Sequence, residues 1–166
     1  LQHSGSELAP PSREFLVGTD ELGRDLLSRI IYGARISLLV GVVAVAIGST
    51  VGISTGMIAG YLGGWVDGLT MRIWDSLMAF PGILLGIAIA AMMGPGLFNA
   101  AIAVGILSMP GYARMARAGM LSQKGSDYVL AARALGYSQW RIVFRHVLPN
   151  ALAPILTQVA FGMAAA

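Results

Sequence analysis

The chain has 166 residues, of which 56% are hydrophobic and only 11% are charged, and its formal net charge is +3. Soluble domains carry about 25% charged residues, so this composition indicates a membrane protein. The basic residues are scattered along the chain and form no stripe, which argues against nucleic-acid binding. The absence of cysteine excludes disulfides and thiolate metal sites.

The charged residues are confined to a few places. None occurs in residues 36–66, in residues 76–113 or from residue 147 to the end. About 20 apolar residues cross the hydrocarbon core as a helix, so the first two stretches are each long enough for a span. The third would begin a further span. The chain opens on Leu1 with no charged segment followed by an apolar core, so no signal peptide is predicted.

The first 35 residues are more polar and predict a separate approach segment before a membrane domain at 36–166. Within it, residues 20–32 have an amphipathic pattern that predicts a helix lying along the membrane face, capped by Thr19 or Asp20. A plain solvated connector is the alternative. The apolar side of the predicted helix consists of Leu26, Leu27, Ile30 and Ile31.

The first span is predicted at 36–59 and contains glycine at every fourth position. The four glycines are Gly48, Gly52, Gly56 and Gly60. Such spacing makes a smooth ridge that allows another backbone to approach closely in lipid. We therefore predict a helix-packing seam, with the lining of a pore as the alternative.

A second span is predicted at 66–93 and a third from Leu97 onward, each containing a proline. Pro81 and Pro110 break backbone hydrogen bonds and are candidate gate hinges, although proline is also common in membrane helices without such a role. Arg72 and Asp75, three residues apart, predict an ion pair within the second span. A fourth span is predicted from Asn150.

The loop between the last two spans, 122–149, carries two patterned helices. Their apolar side chains recur at helical spacing, and Gly136 between them suits a left-handed helix stop. Ser138 is a candidate cap for the second helix, and Leu148-Pro149 would open the next one. The first stripe consists of Tyr128, Ala131, Ala132 and Leu135, and the second of Trp140, Val143, Phe144 and Val147. Two patterned helices in one loop predict docking to a partner protein. The alternative is that the helices lie on the lipid headgroups.

This loop resembles the cytoplasmic coupling loop of ABC importer permeases, the membrane subunits of binding-protein-dependent transport systems. The family pattern is Glu-Ala-Ala, three residues, Gly, nine residues, Ile, one residue, Leu-Pro. Ala131-Ala132, Gly136 and Leu148-Pro149 match it, whereas Leu130 replaces the Glu and His146 replaces the Ile. Residues 18–29, GTDELGRDLLSR, are similar to the signature of the peptide and nickel branch.

The resemblance implies an all-α membrane protein, a polytopic transmembrane helix bundle of the type I ABC importer (MetI-like) permease kind. It implies a multi-pass protein of the bacterial or archaeal cytoplasmic (inner) membrane. The chain opens on Leu1 and closes inside an apolar run, so we expect it to lack the family's first and last spans.

With the loop on the cytoplasmic side, 60–65 is internal, and 1–35 and 94–99 are external. The internal bases then outnumber the external ones by seven to four, which favours this orientation. The internal bases are Arg72, Arg114, Arg117, Lys124, Arg133, Arg141 and Arg145, and the external ones are Arg13, Arg24, Arg29 and Arg35.

No catalytic or metal site is predicted. His3 and His146 have no carboxylate or thiolate at ligand spacing. No glycine-rich loop ends in Gly-Lys-Ser or Gly-Lys-Thr, so the chain is not expected to hold ATP phosphates or any other cofactor. The resemblance implies that partner ATPase subunits hydrolyse ATP, that a second permease subunit completes the path, and that an extracytoplasmic solute-binding protein delivers substrate.

The resemblance implies an ATP-driven importer of di- or oligopeptides, in which the 127–149 loop couples ATPase closure to alternating access. Nickel or another small solute is an alternative substrate. An ATPase-independent secondary transporter or channel is a different class, and such proteins usually place ionisable groups at the membrane midplane. The sequence has none between Asp75 and Arg114. A membrane anchor without a transport path is the last alternative, and co-purification with an ATPase would separate it from the importer.

Overall fold

The computed structural model describes residues 7–165, which form helices and turns and no β-strand. The all-α prediction is confirmed. The helices are α1 Leu26–Leu62, α2 Gly64–Met78, α3 Gly82–Met93, α4 Leu97–Lys124, α5 Asp127–Ala134, α6 Gln139–Ile142 and α7 Leu148–Ala165, with a π-helical turn at Val143–Val147. By their contacts the residues divide into two units, Leu1–Leu39 and Val40–Ala166.

In the first unit the predicted helix at 20–32 begins six residues late, at Leu26. The carboxylate of Asp20 accepts hydrogen bonds from the backbone N–H groups of Leu22 and Arg24, each at 2.9 Å, and so closes a turn where the helix was expected. Asp25 caps the helix instead, since its carboxylate accepts from the N–H groups of Leu27 and Ser28. The predicted surface helix is also not separate, because α1 continues without a break to Leu62.

The glycine ridge of α1 lies directly against α4. Gly48, Gly52, Gly56 and Gly60 are all buried. A Cβ atom at Gly56 would collide with the backbone of Ala113, and one at Gly60 would lie 2.9 Å from the carbonyl oxygen of Arg117. The two backbones approach this closely only because these positions carry no side chain.

The span predicted at 66–93 is divided at Pro81, where the sequence predicted a lost backbone hydrogen bond. α2 ends at Met78, α3 begins at Gly82, and the two helices are bent by 88°. Pro81 causes the break, because it has no N–H to donate and disfavours helical geometry at the preceding Phe80. Pro110, by contrast, lies inside the continuous helix α4.

Length and apolar composition identify α1 as a helix that could cross a membrane. The bent pair of α2 and α3 satisfies the same criterion when it is counted as one span. α7 packs on α4, where a Cβ at Gly119 would lie 3.6 Å from that of Ala151, and the hydroxyl of buried Tyr112 occupies the space beside Gly162.

Candidate functional site

The predicted helix stop at Gly136 is present and has a defined hydrogen-bond pattern. Gly136 has φ +76°, the left-handed conformation that glycine adopts at least cost. Its N–H donates to the carbonyl of Arg133 at 2.9 Å, and the N–H of Tyr137 donates to the carbonyl of Ala132 at 3.1 Å. These two bonds form a Schellman motif, which satisfies carbonyls left free at the end of α5 and turns the chain sharply into α6.

α6 begins where the sequence predicts. The Oγ of Ser138 accepts a hydrogen bond from the N–H of Arg141, so the predicted cap is confirmed. After Ile142 the helix widens into the π turn, in which the N–H of Leu148 donates to the carbonyl of Val143. The carbonyl of His146 accepts from the Nδ2 of Asn150 at 2.7 Å. Pro149 lies in the first turn of α7, as predicted.

The inner side of the loop packs against the ends of α4 and α7. Its buried residues form what we call the loop core: Met120, Val129, Ala132, Ile142, Val147 and Ala151. Val143 is half-buried against this core. Val129 and Ile142 lie outside both predicted stripes and are nevertheless buried, so the helical spacing did not identify them.

The predicted stripes therefore do not form one outward docking surface. Ala132 is only 5% exposed and Val147 lies in the core, so neither side chain is available to a partner in this structure. Helical spacing identifies residues that share a face, but α5 and α6 each have apolar residues on two sides. The spacing alone cannot tell which side packs inward.

The outer side of the loop carries the large apolar residues. Leu135 and Trp140 are each 73% exposed and Phe144 is 60% exposed. The rings of Trp140 and Phe144 stack, with centroids 5.9 Å apart and an interplanar angle of 15°. We call the exposed residues Leu130, Leu135, Trp140 and Phe144 the outer apolar face. Of the other predicted loop residues, Tyr128, Ala131, Gly136 and Pro149 are exposed and Leu148 is half-buried.

The outer side of the loop is also basic. Arg133, Arg141 and Arg145 are exposed, whereas Asp127 is the one acidic residue between positions 127 and 149. The guanidinium of Arg141 lies 5.4 Å from the centroid of the Tyr137 ring. This cation–π contact orients the Arg141 side chain. A protein surface with these exposed aromatic and basic side chains suits a partner that offers an apolar pocket with acidic groups around it.

A family model described as the binding-protein-dependent transport system inner membrane component matches residues 52–166, which include three of the four ridge glycines, the bent pair and the whole loop. The chain belongs to this family. The family is a membrane component of transport systems, and the family prediction made from the loop pattern is thereby confirmed.

Several curated relatives are 41–47% identical to the chain. The di/tripeptide transport system permease protein DppC of Pseudomonas aeruginosa is 45% identical over 96% of this chain and 54% of its own length. The glutathione transport system permease protein GsiD of Pectobacterium atrosepticum is 47% identical over 92% of this chain and 50% of its own length. The chain thus spans about half the length of the curated relatives it matches.

A solved structure shares the family fold at lower identity. The crystal structure of an amino acid ABC transporter with histidines matches with a TM-score of 0.63 at 20% identity, and the match covers 86% of this chain and 72% of that chain. This likeness, together with the family match, confirms the predicted permease fold.

Ion pairs join α2 to α4 near the loop end of the bundle. The sequence predicted that Asp75 pairs with Arg72, and this prediction is wrong. Asp75 pairs with Arg114 of α4 and not with Arg72. Asp67, in the first turn of α2, pairs with Arg117. The local spacing of Arg72 and Asp75 allowed an ion pair, but α4 brings Arg114 to Asp75 from another part of the chain.

The two candidate hinge prolines lie in the same region of this permease fold. Phe80 and Gly82, on either side of Pro81, line a cavity of about 170 Å³ together with Pro110 and apolar side chains of α2, α3 and α4. A break in one helix thus faces a proline in its neighbour. The arrangement provides space in which either helix could move, and the gating role remains a prediction.

Proposed function

We propose that this chain is part of the membrane-spanning permease subunit of an ATP-driven importer and that the outer apolar face docks on an ATPase subunit. The observation that carries the proposal is the exposure of Leu135, Trp140 and Phe144 on a loop whose other side is packed into the bundle. Exposed aromatic anchors on a firmly held element are typical of interface hot spots. The subunit would be multi-pass in a bacterial or archaeal cytoplasmic membrane.

In this proposal the chain binds no cofactor, and the ATPase subunits bind and hydrolyse ATP. Closure of those subunits displaces the loop. Because the loop core includes Met120 of α4 and Ala151 of α7, the displacement reaches both helices. The helices then rotate between inward-facing and outward-facing arrangements, so that ATP biases a bundle with two stable states.

The break around Pro81 is the proposed hinge of this rotation. Pro110 faces the same cavity from α4. A helix that already lacks a backbone hydrogen bond at the break bends there at the lowest cost. A second permease subunit would complete the path, and a solute-binding protein would deliver substrate on the external side.

The proposed substrates are di- or oligopeptides. The names of the relatives support this class, since they include a di/tripeptide permease and a permease for the tripeptide glutathione. Nickel or another small solute is the alternative. Uptake of radiolabelled dialanine, glutathione and nickel by cells that express the full-length transporter would distinguish these classes.

The docking proposal is tested by Trp140→Glu in the full-length protein, co-expressed with its ATPase subunits. A charged side chain replaces the central aromatic anchor, so we expect normal amounts of permease in the membrane and at least tenfold less co-purified ATPase, as removal of one hot-spot side chain implies. Leu16→Glu is the matched control, because Leu16 is also an exposed apolar residue but lies in the first unit. Unchanged ATPase association in Trp140→Glu would exclude the outer apolar face as the docking surface.

A further inference from the structure

Tyr61, in the last turn of α1, contacts two other elements through its side chain and its carbonyl. Its hydroxyl donates a hydrogen bond to Oε1 of Gln139 in α6 at 3.0 Å. Its carbonyl oxygen accepts from Nζ of Lys124, the last residue of α4, at 2.6 Å. The ammonium group of Lys124 also lies 5.5 Å from the centroid of the Tyr61 ring.

These contacts are supported by packing. Tyr61 and Met57, one turn earlier on α1, lie against the loop core. Lys124 is well placed at the end of α1, because a cation near a helix C-terminus satisfies free carbonyls and interacts favourably with the helix dipole. The end of α1 is therefore held to the loop by apolar contact, by one neutral hydrogen bond and by one charge-assisted hydrogen bond.

The position of Gln139 gives the hydrogen bond its significance. Gln139 is the first residue of α6 and precedes Trp140, the aromatic residue at the centre of the outer apolar face. A force applied to Trp140 acts on α6 as a whole. Through Gln139 it reaches Tyr61 and hence α1, a helix that is distant in sequence from the loop.

We infer that Tyr61 is a positioning residue that makes the end of α1 move together with the loop. The inference rests on the proposed function and adds a third helix to the two that the loop core already engages. The glycine ridge then carries the same displacement along the contact between α1 and α4, because their backbones are too close to slide independently.

The test uses the full-length transporter with its ATPase subunits and a single cysteine introduced by Leu62→Cys. Leu62 is exposed and follows Tyr61, and the 166-residue sequence contains no cysteine of its own. The rate of thiol alkylation at this site is measured with and without ATP. In the otherwise unsubstituted complex, ATP is expected to change the rate.

Tyr61→Phe and Gln139→Leu each remove the hydrogen bond from one side and keep most of the side-chain volume. Each is expected to reduce the ATP-dependent change in alkylation by roughly two- to tenfold, the effect of one net hydrogen bond. The double variant is expected to match either single variant, because both remove the same interaction. Tyr32→Phe is the control, since it removes an exposed tyrosine hydroxyl in the first unit.

The possible results separate the inference from the proposed function. If the ATPase co-purifies but the ATP response is equal in Tyr61→Phe, Gln139→Leu and the unsubstituted complex, Tyr61 has no positioning role. The same conclusion follows if the ATPase co-purifies and Leu62→Cys does not respond to ATP at all. If no ATPase associates with the unsubstituted protein, the proposed function itself fails. If Tyr61→Phe does not accumulate, Gln139→Leu decides the matter, because Gln139 is exposed and its replacement leaves the loop core intact.

Discussion

The carboxylate of Asp67 on α2 faces the guanidinium of Arg117 on α4 and accepts a hydrogen bond from both Nε and Nη2. The side chain of Asp67 is only 16% exposed. The other ion pair between these helices, Asp75 with Arg114, is 57% and 47% exposed. The two aspartates are eight residues apart on α2, which corresponds to about 12 Å of helix. Their arginine partners are three residues apart on α4, which corresponds to about 4.5 Å. Both ion pairs hold the short helix α2 against α4.

We expect Asp67→Asn to destabilise the bundle more than Asp75→Asn. The first substitution weakens two charge-assisted hydrogen bonds in a partly buried site and should cost about 1–3 kcal/mol. The second affects a pair in which both side chains are about half exposed, so its cost should stay below about 1 kcal/mol. Thermal unfolding of each variant in detergent measures the difference. Equal shifts for the two variants would show that burial does not distinguish these pairs.

A methyl group in the glycine ridge should be poorly tolerated. Gly56→Ala places a Cβ against the backbone of Ala113, and overpacking of this kind costs about 1–3 kcal/mol. Gly111→Ala is the matched control, because Gly111 is helical and its Cβ would have no neighbour within 4 Å. Alanine should be neutral or stabilising there, by up to about 1 kcal/mol. A lower melting temperature for Gly111→Ala than for Gly56→Ala would contradict the contact.

Ala131 and Ala132 are adjacent in sequence but should respond differently to a charge. Ala132→Asp buries a carboxylate in the loop core and should cost several kcal/mol, because the charge finds no partner there. Ala131→Asp places the same carboxylate on the exposed side and should change stability by less than about 0.5 kcal/mol. Amide hydrogen exchange of residues 127–147 reports the stability of the loop, and fast exchange is expected in Ala132→Asp alone.

The turn before α1 should be insensitive to mild acid. The backbone N–H of Arg24 hydrogen-bonds to Asp20 and lowers the pKa of this carboxyl well below its ordinary value of 3.8, with further contributions from the N–H of Leu22 and the side chain of Arg24. Since the pKa is lowered in the folded state, the stabilisation is complete above pH 3.8 and is lost only as the pH falls toward the lowered value. Hydrogen exchange of residues 22–26, corrected for intrinsic rates, should give equal protection at pH 7 and pH 5. Asp20→Asn should reduce protection at both pH values, and a loss of protection between pH 7 and pH 5 in the unsubstituted protein would refute the assignment.

Local signals in the sequence were sufficient for several features of the fold. Gly136 and Ser138 each perform a backbone function that few residue types can perform, a left-handed turn and a helix cap. The glycines at spacing four likewise identify a close helix contact, because few other sequences allow it. These features follow from the chemistry of one residue or from the period of one helix.

Features that depend on residues distant in sequence could not be predicted. Arg114 replaces Arg72 as the partner of Asp75 because α4 folds beside α2, and no local pattern contains that information. The inward direction of Ala132 depends on where α4 and α7 lie. The length of α1 was underestimated for a different reason, since the span was placed in the charge-free stretch that begins at residue 36, whereas the helix also includes charged residues before it.

The widened turn at Val143–Val147 sets the rotational phase between α6 and α7. Each residue of a regular α-helix advances by about 100°, so one residue more or less in this turn would rotate Trp140 and Phe144 by about that angle relative to α7. Within this turn the carbonyl of His146 accepts a hydrogen bond from the side chain of Asn150. Relatives that gain or lose one residue between positions 142 and 148 would therefore present a different side of α6 to their partners, even if every other residue of the loop were the same.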